Sequence, residues 1–328
     1  MSEDSSAAPP VHPRVPAGTA LAVVGAGMMG VGIAQVFAAA GVPVAVFDPV
    51  EAARKSFHER IAAACRAAGA DQRAAAEVDA RVSVHDTLAG ACRDATLVIE
   101  AGPEDLETKR EIFAALEAAA GPGAVLASNT SAIPIGLIAA GLADPARVVG
   151  THFWHPPYLV PLVEVVQART TAPSVVAATI ELLAAIGLKP VHVAADVPGF
   201  IGNRLQHALK REAIALVAGG VATAESVDAV VRHGFGRRLA LVGPLEQADL
   251  GGTDLTLAIH RVLMPDLDAT PEPHPYLAAM VARGELGAKS GRGFYAWAPG
   301  EADRRRAEIA EGLTAQNRAL EGGGGPRP

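Results

Sequence analysis

The stretch Leu21-Ala22-Val23-Val24-Gly25-Ala26-Gly27-Met28-Met29-Gly30 decides the fold. An apolar strand runs straight into Gly-x-Gly-x-x-Gly. A helical segment follows from Val31 to Ala40, and the next strand, Val42 to Phe47, ends at Asp48, 18 residues after Gly30. Each part has a physical task. Gly25 permits the tight turn, Gly27 has no Cβ and lets backbone press against a pyrophosphate, and Gly30 lets helix and strand pack closely. The helix start, where Met28 and Met29 stand, presents partial positive charge to the phosphates. Asp48 is placed to accept hydrogen bonds from an adenosine ribose and to repel a 2′-phosphate, which selects NAD over NADP. A glycine-rich turn in some other α/β protein leaves the position of Asp48 unexplained.

Outward from this motif, strand-like and helix-like segments alternate from Ala20 to Ala194. The strands read as Leu21–Val24, Val44–Asp48, Val82–His85, Ala95–Glu100, Ala124–Ser128, Val148–Thr151, Leu162–Val166 and Pro190–Val193. Helical runs include Glu51–Gly69, Glu104–Ala120 and Ala172–Ile186. The alternation predicts a mostly parallel sheet with helices on both faces. After Asp196-Val197-Pro198-Gly199 the strand signal stops. Helices are expected at Phe200–Ala218, Ala224–His233, Pro244–Met264 and Tyr276–Arg283. The fold class is therefore α/β: an N-terminal Rossmann-like doubly wound sheet with a C-terminal all-helical domain. The expected divisions are a disordered leader (1–16), an NAD-binding domain (17–195), a helical substrate and dimerisation domain (196–300) and a tail (301–328) that is disordered beyond a last helix.

Composition excludes several classes. The 328 residues suffice for two domains, and no stretch has the length and continuity of a membrane span. The start is acidic and then Pro-rich, unlike a signal peptide. Cys65 and Cys92 fit no metal spacing and read as ordinary thiols of a reducing cytoplasm. A net charge of −7 with no basic block excludes nucleic acid and anionic membrane as partners. Only five lysines occur against 23 arginines, which singles out Lys109 and Lys289.

Four further segments sit where the chemistry of such a sheet is expected, just past strand ends. They are Val98-Ile99-Glu100-Ala101-Gly102-Pro103-Glu104 with Lys109 beyond it; Ser128-Asn129-Thr130-Ser131; Gly150 to Glu164, containing His152, His155 and Pro156-Pro157; and Asp196 to Arg204. A Pro-rich return separates His152 from Glu164. His152-x-x-His155 also has the look of a metal pair, but no third ligand with suitable spacing accompanies it, and no metal is expected. Ser128 and Thr130 read as loop-stabilising hydroxyls.

On these motifs the chain resembles the L-3-hydroxyacyl-CoA dehydrogenases and their relatives, from Ala20 to Trp297, including Leu286-Gly287-Ala288-Lys289-Ser290-Gly291-Arg292-Gly293-Phe294-Tyr295. The resemblance implies that His152 is the base and Glu164 its partner, with Ser131 and Asn203 completing the catalytic site. It places Glu104, Lys109, Ser131 and Lys289 beside the NAD, together with Gly25, Gly27, Met28, Met29, Gly30 and Asp48. Ser131, His155 and Asn203 are the residues implied at the substrate. A homodimer through the helical domain is a further implication.

Two departures concern the substrate. Where the family usually carries Asn three residues after the base, this chain has His155. The family's lysine-rich insertion, which contacts CoA, is here lysine-free from Ser56 to Thr108, leaving Arg60, Arg66, Arg73 and Arg81 as possible substitutes. The Pro-Pro loop resembles relatives that act on free hydroxy acids, such as L-gulonate and carnitine dehydrogenases. Gly243-Pro244-Leu245-Glu246-Gln247-Ala248-Asp249 resembles the CoA-using branch. Three readings stay open: oxidation of an L-3-hydroxyacyl-CoA-type substrate, oxidation of a free hydroxy acid or ring alcohol, and a non-catalytic NAD-binding structural or sensing protein.

Overall fold

The computed structural model describes residues 15–322. The disorder expected of the leader and of the extreme tail falls largely on residues outside that range. Contacts divide the chain into two compact units, Met1–Asn203 and Arg204–Pro328.

The first unit begins with β1 (Leu21–Val24), α1 (Met28–Ala39) and β2 (Val44–Phe47). Three helices follow: α2 (Glu51–Lys55), α3 (Phe57–Ala67) and α4 (Gln72–Asp79). Then come β3 (Val82–Val84), α5 (Leu88–Cys92), β4 (Leu97–Glu100), α6 (Leu106–Ala119), β5 (Val125–Ser128) and α7 (Ile135–Ile138). The unit closes with β6 (Val148–Phe153), β7 (Leu162–Val166), α8 (Pro173–Ala185), β8 (Lys189–Val193) and the start of α9 (Gly202–Ala218). All eight expected strands are present, in one sheet of order β3-β2-β1-β4-β5-β6-β7-β8. Every neighbouring pair is parallel except β6–β7.

The central strands of the sheet are buried on both faces. In β1, Leu21 and Val23 enter one core with Ile33 and Phe37 of α1 and Phe57 and Ile61 of α3. Ala22 and Val24 enter the other, with Phe113 and Leu116 of α6. Opposite-facing neighbours on one strand both need apolar side chains, which is why β1 reads as an unbroken apolar run. The strand order reverses between β1 and β4, and a crevice for ligands opens there at the carboxyl ends.

Several expected boundaries move. The helix expected over Glu51–Gly69 breaks at Ser56, whose hydroxyl donates to the Ala52 carbonyl at 3.0 Å and so competes with the helical ladder. α6 starts at Leu106 because Asp105 caps it, accepting from Thr108 N at 2.9 Å, so Glu104 stays in the loop. α9 starts at Gly202, not Phe200, because Phe200 takes a left-handed φ of 51°. The contact-based division of the chain falls after Asn203. Asp196 accepts from Ile135 N and Gly136 N, and Phe200 is buried in the second core, which fastens residues 196–203 to the sheet.

The second unit carries the rest of α9, then α10 (Ala224–His233), α11 (Gly236–Leu239), α12 (Pro244–Gly251), α13 (Thr253–Leu263), α14 (Pro275–Ala282) and α15 (Glu301–Gly322). The long helix expected over Pro244–Met264 is two, because Gly252 takes a φ of +95° between α12 and α13. Among the described residues, no helix is long and apolar enough to cross a membrane.

Candidate active site

The three fingerprint glycines meet three different surroundings. Gly25 has a φ of +110°, and a Cβ there would lie 2.6 Å from the Ala101 carbonyl oxygen. A Cβ on Gly30 would lie 1.9 Å from the Gly25 oxygen, so only hydrogen fits between helix and turn. A Cβ on Gly27 would meet nothing within 4 Å, which leaves open the face that a pyrophosphate needs. Gly27 caps α1 without any side-chain hydrogen bond, and no acid stands in the first turn, so the helix N–H groups point outward uncompensated. Met28 is exposed there, while Met29 packs against the first core. Asp48, at the end of β2, holds the turn through Oδ2, which accepts from Ala26 N at 2.7 Å, while Oδ1 accepts from Val50 N at 2.8 Å. The residues present fit a dinucleotide.

β6 and β7 run antiparallel with His152 and Glu164 directly opposed. The Pro-rich return between them therefore does act as a hairpin. His152 Nδ1 lies 2.8 Å from Glu164 Oε2, with both side chains almost fully buried. The other oxygen, Oε1, accepts from Ile201 N at 2.9 Å and Gly202 N at 3.0 Å. Burial alone would raise the Glu164 carboxyl. The bonds from His152, Gly202 and Ile201 outweigh it and hold the carboxyl below its ordinary range. A carboxylate on Nδ1 fixes that nitrogen as the donor and leaves Nε2 with the lone pair. The ring is steadied by Trp154 and Phe200, with centroids 5.5 and 5.7 Å away. Neither aromatic was expected at the site; both contacts depend on tertiary packing.

Ser131 and Asn203 are brought together: Asn203 Nδ2 donates to the Ser131 carbonyl at 2.9 Å. The second amide N–H of Asn203 and the Ser131 hydroxyl remain for other acceptors. Glu104 fixes this loop, its Oε1 accepting from Thr130 Oγ1 at 2.7 Å, Ser131 N at 2.8 Å and Ala132 N at 3.0 Å. Burial raises the Glu104 carboxyl, and these donors with the Lys109 charge more than reverse it.

Lys109 is the position where the geometry departs most from the implied role. Its side chain is 1% exposed, and Nζ sits 2.7 and 2.9 Å from the two oxygens of Glu100 and 3.5 Å from Glu104 Oε2. With so little surface, Lys109 has no face of its own for a cofactor; it stands behind Glu104. Glu100, also buried, accepts from Ser128 Oγ at 2.6 Å and Gly102 N at 2.6 Å. A carboxylate closing an apolar strand was the sequence signal for this partner.

His155 is exposed and borders a cleft of about 360 Å³ between α1, α3 and the Pro-Pro loop. Partial burial of its ring lowers its pKa. The loop is pressed onto α1: a Cβ on Gly32 would lie 2.7 Å from Pro157 Cδ. Lys289 lies on an exposed turn of the second unit, after the turn residue Gly287.

A dinucleotide cradle and a buried imidazole–carboxylate pair on one sheet define a nicotinamide-dependent oxidoreductase. Residues 20–197 match the 3-hydroxyacyl-CoA dehydrogenase NAD binding domain, and residues 199–297 match the 3-hydroxyacyl-CoA dehydrogenase C-terminal domain. The chain belongs to the 3-hydroxyacyl-CoA dehydrogenase family, uses NAD, and is a dehydrogenase acting on a hydroxyl group. Among its relatives is the 5-formyl-3-hydroxy-2-methylpyridine 4-carboxylate 5-dehydrogenase of Mesorhizobium japonicum, 34% identical over 92% of this chain and 98% of that protein. The 3-hydroxybutyryl-CoA dehydrogenase of Mycobacterium tuberculosis is 41% identical over 84% of this chain and 97% of the relative. The crystal structure of a 5-formyl-3-hydroxy-2-methylpyridine 4-carboxylic acid 5-dehydrogenase, an NAD-dependent dismutase, superposes with a TM-score of 0.85 at 35% identity, covering 92% of this chain and 98% of that one. The (S)-3-hydroxybutyryl-CoA dehydrogenase of Ralstonia eutropha gives a TM-score of 0.70 at 31% identity, covering 85% and 99%.

Proposed function

We propose that the protein oxidises an L-3-hydroxyacyl-type alcohol to the 3-oxo compound, and reverses this reaction, with His152 as general base. The observation that carries this reading is the 2.8 Å bond between His152 Nδ1 and Glu164, which leaves Nε2 to take the hydroxyl proton. Bound NAD supplies the acceptor for the hydride that leaves the carbinol carbon. Glu164 stabilises the imidazolium as it forms. Ser131 and Asn203, fixed by Glu104 and by their mutual bond, donate to the substrate oxygen as its charge changes. Base catalysis of this kind contributes about 10²–10⁴ in rate. His152→Gln is expected to lose that factor in kcat while NAD binding is retained; unchanged turnover removes His152 as the base.

A second reading concerns the carrier. The cleft between α1 and α3 has Ala63, Ala64 and Ala67 along its α3 wall and no lysine. CoA brings several phosphate charges, which such a wall does not meet. The relative with the highest coverage above acts on a pyridine carboxylate, not on a CoA ester. Both features favour a free hydroxy acid or ring alcohol as substrate. NADH oxidation with acetoacetyl-CoA, set against a panel of free 3-oxo acids and ring carboxylates, decides it: efficient, saturable use of acetoacetyl-CoA retires the free-acid version. NAD binding without turnover on any of them favours the non-catalytic reading.

The protein also reads as a cytoplasmic homodimer. Its two cysteines are buried free thiols. α9 to α13 contain no buried residue, and Leu245, Leu250 and Val262 are 82, 77 and 74% exposed. Apolar surface of that extent is the mark of an interface, and a second copy of the same chain supplies a matching face.

A further inference from the structure

Four arginines of the inserted helices stand where the lysines of CoA-using relatives were expected, and they are not equivalent. Arg73 pairs with Glu77 at 3.1 Å. Arg81 donates to the carbonyls of Ala38 and Glu77. Arg66 is exposed and does not line the cleft. Arg60 alone lines it, opposite His155 and Tyr158, with Met28, Ala63 and Ala67 as apolar walls. Its Nη1 donates to the carbonyl of Ala26, inside the dinucleotide turn, which holds the guanidinium at the mouth of the crevice. Among the described residues no carboxylate comes within ion-pair distance of it, whereas neighbouring Arg54 faces Asp86 at 3.4 Å. An uncompensated guanidinium against apolar walls has a fork of donors still to be filled.

We propose that this cleft is an oxyanion subsite that takes the carboxylate of a compact free substrate, with Arg60 as its cation and His155 beside it. The inference rests on the dehydrogenase reading in its free-acid form and names the group that the substrate must carry. Geometry selects the size. A cleft of about 360 Å³ suits a ring or short chain bearing one acid and is small for a phosphorylated carrier. Charge selects the number, since one guanidinium matches one carboxylate in a bidentate fork. Position ties the subsite to the chemistry. His155 is three residues beyond His152 at the end of β6, and Gly32 packs so closely on Pro157 that α1 and the loop cannot separate without opening the cleft. A bound NAD would bring its pyrophosphate, a second oxyanion, to the turn that Arg60 touches, and the test separates the two.

Calorimetry on the full chain saturated with NAD, using benzoate and its neutral isostere benzamide, reads the subsite without turnover. The wild type is expected to bind benzoate about ten- to hundredfold more tightly than benzamide. Arg60→Gln is expected to erase that preference and leave NAD affinity within about twofold, while Arg60→Lys keeps the charge and part of the preference. The two variants together guard against a loss caused by disturbing the Ala26 turn, since melting temperature and NAD affinity report that turn directly. His152→Gln is expected to retain the preference for benzoate, so a failed dehydrogenase assay and a failed subsite give different patterns. Equal binding of acid and amide by the wild type, an undiminished preference in Arg60→Gln, or a selective loss of NAD affinity in that variant each overturn the proposal; the last assigns Arg60 to the pyrophosphate.

Discussion

In β1 every side chain is buried, alternately into two separate cores, while the five helices from Gly202 to Leu263 bury none of theirs. The same amino acids, leucine and valine, serve in both places. In the sheet their partners lie within the unit, on α1, α3 and α6. In the second unit Leu250, Leu255 and Leu257 face outward. One unit buries its apolar residues within itself; the other leaves many of them exposed. The proposed catalytic residues His152, Glu164, Ser131 and Asn203 all lie in the first unit.

The largest expected effect tests that placement. His152→Gln should lower kcat by about 10²–10⁴ while the mass in solution and the NAD affinity stay those of the wild type, measured by steady-state kinetics, light scattering and fluorescence titration. Next come paired truncations. Phe113→Ala, in the second core, should cost about 3–5 kcal/mol in denaturant unfolding. Leu250→Ala should change the unfolding of the isolated chain by less than about 0.5 kcal/mol, and Leu250→Asp should halve the mass seen by light scattering. Equal costs at the two positions would erase the contrast. Gly30→Ala should cost about 1–3 kcal/mol and weaken NAD binding, since its new Cβ meets the Gly25 oxygen, whereas Gly27→Ala should fold normally and fail only at the cofactor.

The smallest effect is in pH. Glu164 and Glu104 are both held below the ordinary carboxyl range, so on acidification the unfolded chain takes up protons first. Their contribution is fully present above about pH 5 and fades as pH falls through the ordinary range near 4 and below. Glu164→Gln should flatten the stability–pH slope in that window, as followed by urea midpoints.

The central strands were legible because each is a short, largely apolar run, and burial on both faces leaves little polar alternation to confuse them. The His152–Glu164 pair was legible through the family resemblance, with which a proline-rich return between two strand-like runs is consistent. What was not legible depends on contacts between elements or on single-residue breaks within a helical pattern. That Lys109 lies under Glu104 instead of facing outward follows from Glu100, nine residues earlier on another element. Trp154 and Phe200 reach His152 only once β6 and the turn before α9 are assembled. The breaks at Ser56 and Gly252 are single-residue events inside runs whose helical pattern continues on both sides. Arg60 was one of four equal candidates until the fold showed which of them lines the cleft.

The two oxygens of Glu164 have different employers. One faces the imidazole and the other anchors the turn that delivers Asn203 to Ser131. Altering that acid therefore disturbs the His152 imidazole and slackens the contact between Asn203 and Ser131 in the same stroke, and, on the proposed mechanism, kinetic losses at position 164 will not factor into an electrostatic share and an alignment share. Compensation would require simultaneous change on β6 and at residues 201–203, so a single carboxylate ties two otherwise distant segments to a common fate.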